Sequence, residues 1–159
     1  ALSACAFGYA YVFFVVRRIF MYKLRTEAHF DAAHFLWNYE GKCRNIHGHR
    51  WRIVAEISAD DVQNGGREDG MVIDFGDFKK LLKAEADKLD HSLIYEKGSL
   101  GDKLLAALKE ENFALNEVDF RPTAENFAKY FYYRLTVSGY SVSSVTVYET
   151  PENCAVYEE

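Results

Sequence analysis

His47-Gly48-His49 carries two imidazoles two residues apart, a spacing that points both to one side of an extended strand. The alternation continues through Trp51, Ile53, Ala55 and Ile57, so both rings sit at the edge of an apolar face. A buried imidazole needs hydrogen-bond partners or a metal. One such histidine is ordinarily a satisfied core residue, whereas two side by side suit a metal pair. His34 is the third candidate, at the end of a preceding strand expected to pair with this one. Three imidazoles with an open position form the donor set of a catalytic zinc site, where water or substrate fills the vacancy. An all-imidazole set favours zinc among divalent ions. His29 competes for the third place but falls on the polar side of its strand. Cys43 precedes His47 by four residues, close enough to bend back. Two arrangements remain open: a closed Cys-His₃ structural site, or an open His₃ site with a free thiol that serves as a base.

Two further positions carry charge where it needs a reason. Glu149 ends an alternating segment in phase with Val145 and Val147. Either the strand emerges into solvent there, or the carboxylate meets a ligand with paired donors, such as the amidine-like edge of a guanine or pterin. Asp90-His91 follows a helical segment and is either an exposed cap or a proton relay in which His91 exchanges the proton and Asp90 tunes it.

The elements that must hold these groups follow from periodicity. Leu24, Thr26, Ala28, Phe30 and Ala32 alternate with charged residues, predicting a half-buried strand. Trp37 to Ile46 is a loop, Asp60 to Asp69 a turn, and Met71 to Asp74 a short strand. Phe75, Phe78, Leu81, Leu82, Ala86 and Leu89 recur at helical spacing and predict a helix ending near Asp90-His91. A shorter helix is expected over Asp102 to Glu111. Thr123 is a good N-cap for a helix burying Ala124, Phe127, Ala128, Phe131 and Leu135 and closed by Gly139. Val142 to Glu149 alternates as a last strand. The sum is an α+β domain, an antiparallel four-stranded sheet with two main helices on one face.

A chain of 159 residues, with 49% hydrophobic and 27% charged residues, accommodates one domain with a packed core. The net charge of −5 lacks the basic footprint of a nucleic-acid binder. Cys5, Cys43 and Cys154 are odd in number and widely spaced, which argues against a disulfide framework and for a reducing compartment such as the cytoplasm. Residues 1–20 are apolar up to Val16 and close with Arg17-Arg18, the reverse of a secretory signal's charge order. They are also shorter than the roughly 20 apolar residues of a membrane span. They are expected to be an extension outside a single domain over residues 21–159, with a short membrane anchor as the rival.

Taken in order, Phe30-Asp31-Ala32-Ala33-His34, Cys43-Arg44-Asn45-Ile46-His47-Gly48-His49, Asp74-Phe75, Leu89-Asp90-His91, Pro122-Thr123-Ala124-Glu125-Asn126 and Glu149-Thr150 resemble the 6-pyruvoyl-tetrahydropterin synthase family. The gap in Cys-x-x-x-His-Gly-His is similar to that of the branch making 6-carboxytetrahydropterin in queuosine and 7-deazaguanine biosynthesis. The biopterin branch has a longer gap, and an aldolase branch puts Glu near the cysteine. The resemblance implies the tunnelling fold, with sheets joining into a barrel in trimers or hexamers and no nucleic-acid or membrane partner. It implies 7,8-dihydroneopterin triphosphate as substrate and Zn²⁺ on His34, His47 and His49. Cys43 would be the base, Asp90 and His91 the proton relay, and Glu149 the pterin anchor, with Thr123 and Glu125 as helpers. Arg44 and Arg50 are candidates for the triphosphate by proximity, and Cys154 has no assigned role.

Overall fold

The computed structural model describes residues 21–159, so the expected extension over 1–20 lies outside the described residues. The long alternations become two 13-residue strands, β1 (Tyr22–His34) and β2 (His47–Ala59). They pair antiparallel with Phe30 opposite Trp51, Ala32 opposite His49, and His34 opposite His47. The loop between them contains one 3₁₀ turn, Lys42–Arg44, and is closed by the Leu36 amide donating to the Cys43 carbonyl at 2.8 Å.

Helix α1 (Phe75–Asp87) starts where the period changes, and Asp74 caps it by accepting from the Gly76 amide at 2.6 Å. It ends at Asp87, before Asp90-His91, although Leu89 remains buried. Strand β3 (Ser92–Glu96), helix α2 (Asp102–Glu110) and strand β4 (Leu115–Val118) follow. Helix α3 (Ala124–Thr136) is capped by the Thr123 side chain, which accepts from the Asn126 amide. Strands β5 (Val142–Tyr148) and β6 (Cys154–Tyr157) complete the order.

Among the described residues the sheet has six strands in the order β4-β3-β1-β2-β5-β6 rather than four, and it is mixed. β3 runs parallel to both β1 and β4, while the other pairs are antiparallel. The parallel β3-β4 pair needs a crossover, which α2 supplies, so the expected shorter helix forms beside the two main ones. The expected strand at Met71–Asp74 does not form. Its backbone is bonded within its own loop instead: Gln63 donates from its amide to Met71 O and from its side chain to Val72 O, and Asp74 is spent on capping α1.

α1 and α3 cover one face, where Phe30, Trp51, Phe78, Leu82, Phe127, Phe131 and Val145 form the core. Phe30 and Trp51 stack at 5.9 Å between ring centres. The opposite face is polar, with Arg25 to Glu56 at 2.7 Å and Arg52 to Glu27 at 3.3 Å, and no helix packs flat on it among the described residues. No helix of the described residues is long and apolar enough to cross a membrane.

Candidate metal centre and adjoining cavities

The β1-β2 register delivers the three predicted imidazoles to one end of the apolar face. His34 and His47 face each other across the pair, and His49 follows one pleat on. Ring centres lie 4.4 Å apart for His34–His47, 5.3 Å for His34–His49 and 5.1 Å for His47–His49. Trp51 forms the floor, edge-on to His34 at 5.0 Å and to His49 at 5.5 Å.

Backbone carbonyls set the tautomers. His34 donates from Nδ1 to Pro122 O at 2.7 Å, and His47 donates from Nδ1 to Asn45 O at 2.8 Å. Both rings therefore present Nε2 lone pairs, as orienting partners do for metal-bound histidines. The Nε2 atoms of His34 and His49 are buried without a hydrogen-bond partner. Such orphans are costly unless something binds them. Glu149 Oε1 lies 3.4 Å from His34 Nε2 and 3.6 Å from His49 Nε2. The ligand atoms of His34, His47, His49 and Glu149 all fall within 4.8 Å of one another, a group able to hold a metal ion. Cys43 is not part of this group, and His29 is exposed on the opposite face.

Burial, with the neighbouring His47 and His49, pushes the His34 pKa from 6.5 down to about 4, against the opposing bond to Pro122. Burial also lowers that of His49, although Glu149 opposes it. Both rings are thus held neutral, the form that binds a metal. A depressed imidazole makes the folded state bind fewer protons than the unfolded chain. The stability His34 contributes is whole above 6.5 and is lost as the pH falls towards 4. The difference is about 3 kcal/mol at about 1.36 kcal/mol per unit. Urea unfolding of the metal-free protein should show it as a falling midpoint across that window, and a flat profile would refute it.

His34, Cys43, Thr123, Glu125 and Glu149 border one cavity of about 290 Å³, with Tyr39, Asn153 and Cys154 completing its wall. Cys43 is half-buried in the 3₁₀ turn. Sequence reading had no role for Cys154, and its place here follows from β6, a strand too short to foresee. Glu149 and His49 also border a second cavity of about 510 Å³ with Arg50 and Arg52. Arg44 instead borders a separate hollow with Phe35 and Trp37.

Asp90 and His91 lie elsewhere. The Asp31 amide donates to Asp90 Oδ1 at 2.7 Å, the His91 amide donates to Asp31 O at 2.6 Å, and His91 Nδ1 meets Asp90 Oδ2 at 2.7 Å. The bond to Asp90 raises the His91 pKa, and the bond from the Asp31 amide lowers that of Asp90. His91 has a left-handed backbone, φ 52°. It is exposed and borders a cavity of about 700 Å³ with Asp31, His49 and Arg50. Within one chain His91 and Cys43 therefore border different cavities. Gly48 also lines the cavity beside His91, and an added Cβ there would sit 3.4 Å from the Ala32 carbonyl oxygen.

Comparison with known proteins shows the family and the fold. The model of the family described as 6-pyruvoyl tetrahydropterin synthase matches residues 23–159. A 6-carboxy-5,6,7,8-tetrahydropterin synthase of Haemophilus influenzae is 37% identical, covering 87% of this chain and all of its own. Another of that name from Rickettsia bellii is 33% identical over 86% of this chain and 99% of its own. Among solved structures, 6-pyruvoyl tetrahydropterin synthase of Plasmodium vivax superposes with a TM-score of 0.67 at 21% identity, covering 87% of this chain and 98% of its own. That of Caenorhabditis elegans gives 0.63 at 24%, covering 89% and 98%. These likenesses show a shared fold.

Proposed function

Because the chain belongs to the 6-pyruvoyl tetrahydropterin synthase family, we propose that it is a 6-carboxy-5,6,7,8-tetrahydropterin synthase. It would convert 7,8-dihydroneopterin triphosphate and one water to the carboxy product with loss of acetaldehyde and triphosphate, in the cytoplasm, on the path to queuosine. The observation carrying this reading is one cavity that brings together the half-buried Cys43 thiol, His34 of the imidazole cluster and the Glu149 carboxylate. The identity to named relatives and the short gap between Cys43 and His47 support this branch.

His34, His47 and His49 would hold Zn²⁺, which polarises the oxygens of the substrate side chain when bound. Cys43 then takes the proton from the side-chain carbon. Glu149 accepts two N–H bonds from the amidine edge of the pterin. Thr123 and Glu125 line the cavity of Cys43, and Arg50, which lines two neighbouring cavities, meets the triphosphate. His91 carries the proton, with Asp90 holding the imidazolium as donor.

Since His91 and Cys43 border different cavities, a site using both takes them from two copies of the chain. The edge strands β4 and β6 each leave one side unpaired among the described residues, which suits joining in a trimer or hexamer. Residues 1–20 stand outside this domain in our reading.

Mass spectrometry of the products formed from 7,8-dihydroneopterin triphosphate tests the proposal. 6-Carboxytetrahydropterin with acetaldehyde is expected. A pyruvoyl product or glycolaldehyde would keep the family and change the branch. No turnover by a zinc-replete oligomer would leave a structural metal protein.

A further inference from the structure

Arg121 sits between two parts of the site that share no element of secondary structure. Its Nη2 donates to the Trp37 carbonyl at 2.6 Å, and its guanidinium carbon lies 5.8 Å from the centre of the Tyr39 ring. The Tyr39 ring in turn covers Gly41, where an added Cβ would come 2.6 Å from its Cε1. Gly41 opens the 3₁₀ turn that carries Cys43. On the other side the Arg121 backbone is itself fixed. Its carbonyl accepts from the Thr123 amide at 2.8 Å and from Asn126 Nδ2 at 2.9 Å, which ties it to the start of α3. The next carbonyl, that of Pro122, sets the tautomer of His34.

We infer that Arg121 is a positioning residue for Cys43: it clamps the Trp37–Gly41 segment onto the same turn that orients His34, and so sets where the thiol stands relative to the imidazole cluster. The inference rests on the reading of Cys43 as the base. The loop has no strand or α-helix of its own, and its internal closure through Leu36 and Cys43 does not attach it to α3. Arg121 supplies that attachment, with a hydrogen bond and a planar cation facing an aromatic ring. A proton-abstracting group must be held within hydrogen-bond reach of its target, and displacement by about 1 Å costs about 100-fold in rate.

The test uses the metal-loaded full chain with Arg121→Ala, Arg121→Lys and Gly41→Ala. Gly41→Ala disturbs the same clamp from its far side by pushing on the Tyr39 ring, without backbone strain, since φ there is extended. Three quantities are read: metal content, kcat and KM, and the iodoacetamide alkylation rate of Cys43 resolved by peptide mass spectrometry. Arg121→Ala should lower kcat by about 100-fold with KM little changed. Metal content should hold, and Cys43 alkylation should change severalfold. Gly41→Ala should act in the same direction, and Arg121→Lys, which keeps one donor for Trp37, should recover part of kcat. Alkylation at the wild-type rate in both Arg121→Ala and Gly41→Ala overturns the inference. So does metal loss in step with kcat, because Arg121 would then hold the fold rather than the thiol. If the wild-type protein has no turnover on the proposed substrate, the alkylation rates still decide the placement, so the two failures are separable.

Discussion

Cys43→Ala is expected to leave the metal bound while lowering turnover by about 10²- to 10⁴-fold, the range of a lost general base. The expectation follows from where the thiol stands. Cys43 borders the cavity shared with His34 and Glu149 but is outside the four side chains whose ligand atoms converge. Alanine removes the sulfur from a turn held by its backbone, since the bond from Leu36 uses the Cys43 carbonyl and not its side chain. The fold and the His34–Pro122 bond should therefore survive. Elemental analysis of the purified variant beside a product assay gives both readouts. Metal lost together with activity would make Cys43 a ligand and the site a closed Cys-His₃ centre.

Glu149→Gln should weaken the pterin by about 30- to 5,000-fold, corresponding to about 2–5 kcal/mol for a truncated charge-assisted pair. Glutamine keeps the shape but offers one acceptor where the carboxylate offers two, and it places an NH₂ against ligand N–H groups. Metal content should hold, because His34, His47 and His49 keep their ring nitrogens and two keep their backbone anchors. The sharp alternative comes from Glu149 Oε1 standing 3.4 Å and 3.6 Å from two imidazole nitrogens. If the variant loses metal, Glu149 is a fourth ligand and the pterin needs another anchor. Equilibrium titration with a non-reacting pterin, alongside metal analysis, separates the two.

The imidazole cluster was legible because its determinants are local. Period-two alternation assigned His47 and His49 to the side of Trp51, and the pairing of two long strands brought His34 opposite. The two helices over the core were legible through their apolar spacing and their caps, Asp74 and Thr123. Strands β3, β4 and β6 have only four or five residues, too few for a period to show. Their places depend on a crossover and on edge pairing, which are set by packing. Met71–Asp74 misled because apolar residues that pack on the core without a neighbouring strand look the same in sequence. The separation of His91 from Cys43 could not be read either, since adjacency in a motif says nothing about which cavity a residue borders. Arg121 went unnoticed for a similar reason. A lone arginine before a proline has no pattern, and its role depends on a carbonyl 84 residues away.

The left-handed backbone at His91 bears on how the proposed relay should be dissected. Alanine there would remove the imidazole and also force a Cβ-bearing residue with no local side-chain support into a conformation costing about 1–2 kcal/mol. That strain would fall on the segment gripping β1 through Asp31, three residues from His34. A rate defect in His91→Ala would then mix lost chemistry with a shifted metal ligand. Asparagine tolerates the same backbone and carries no titrating group in the relevant range. His91→Asn is therefore the replacement whose kinetics report the proton transfer alone, and His91→Gly, which relaxes the backbone entirely, is its control for strain.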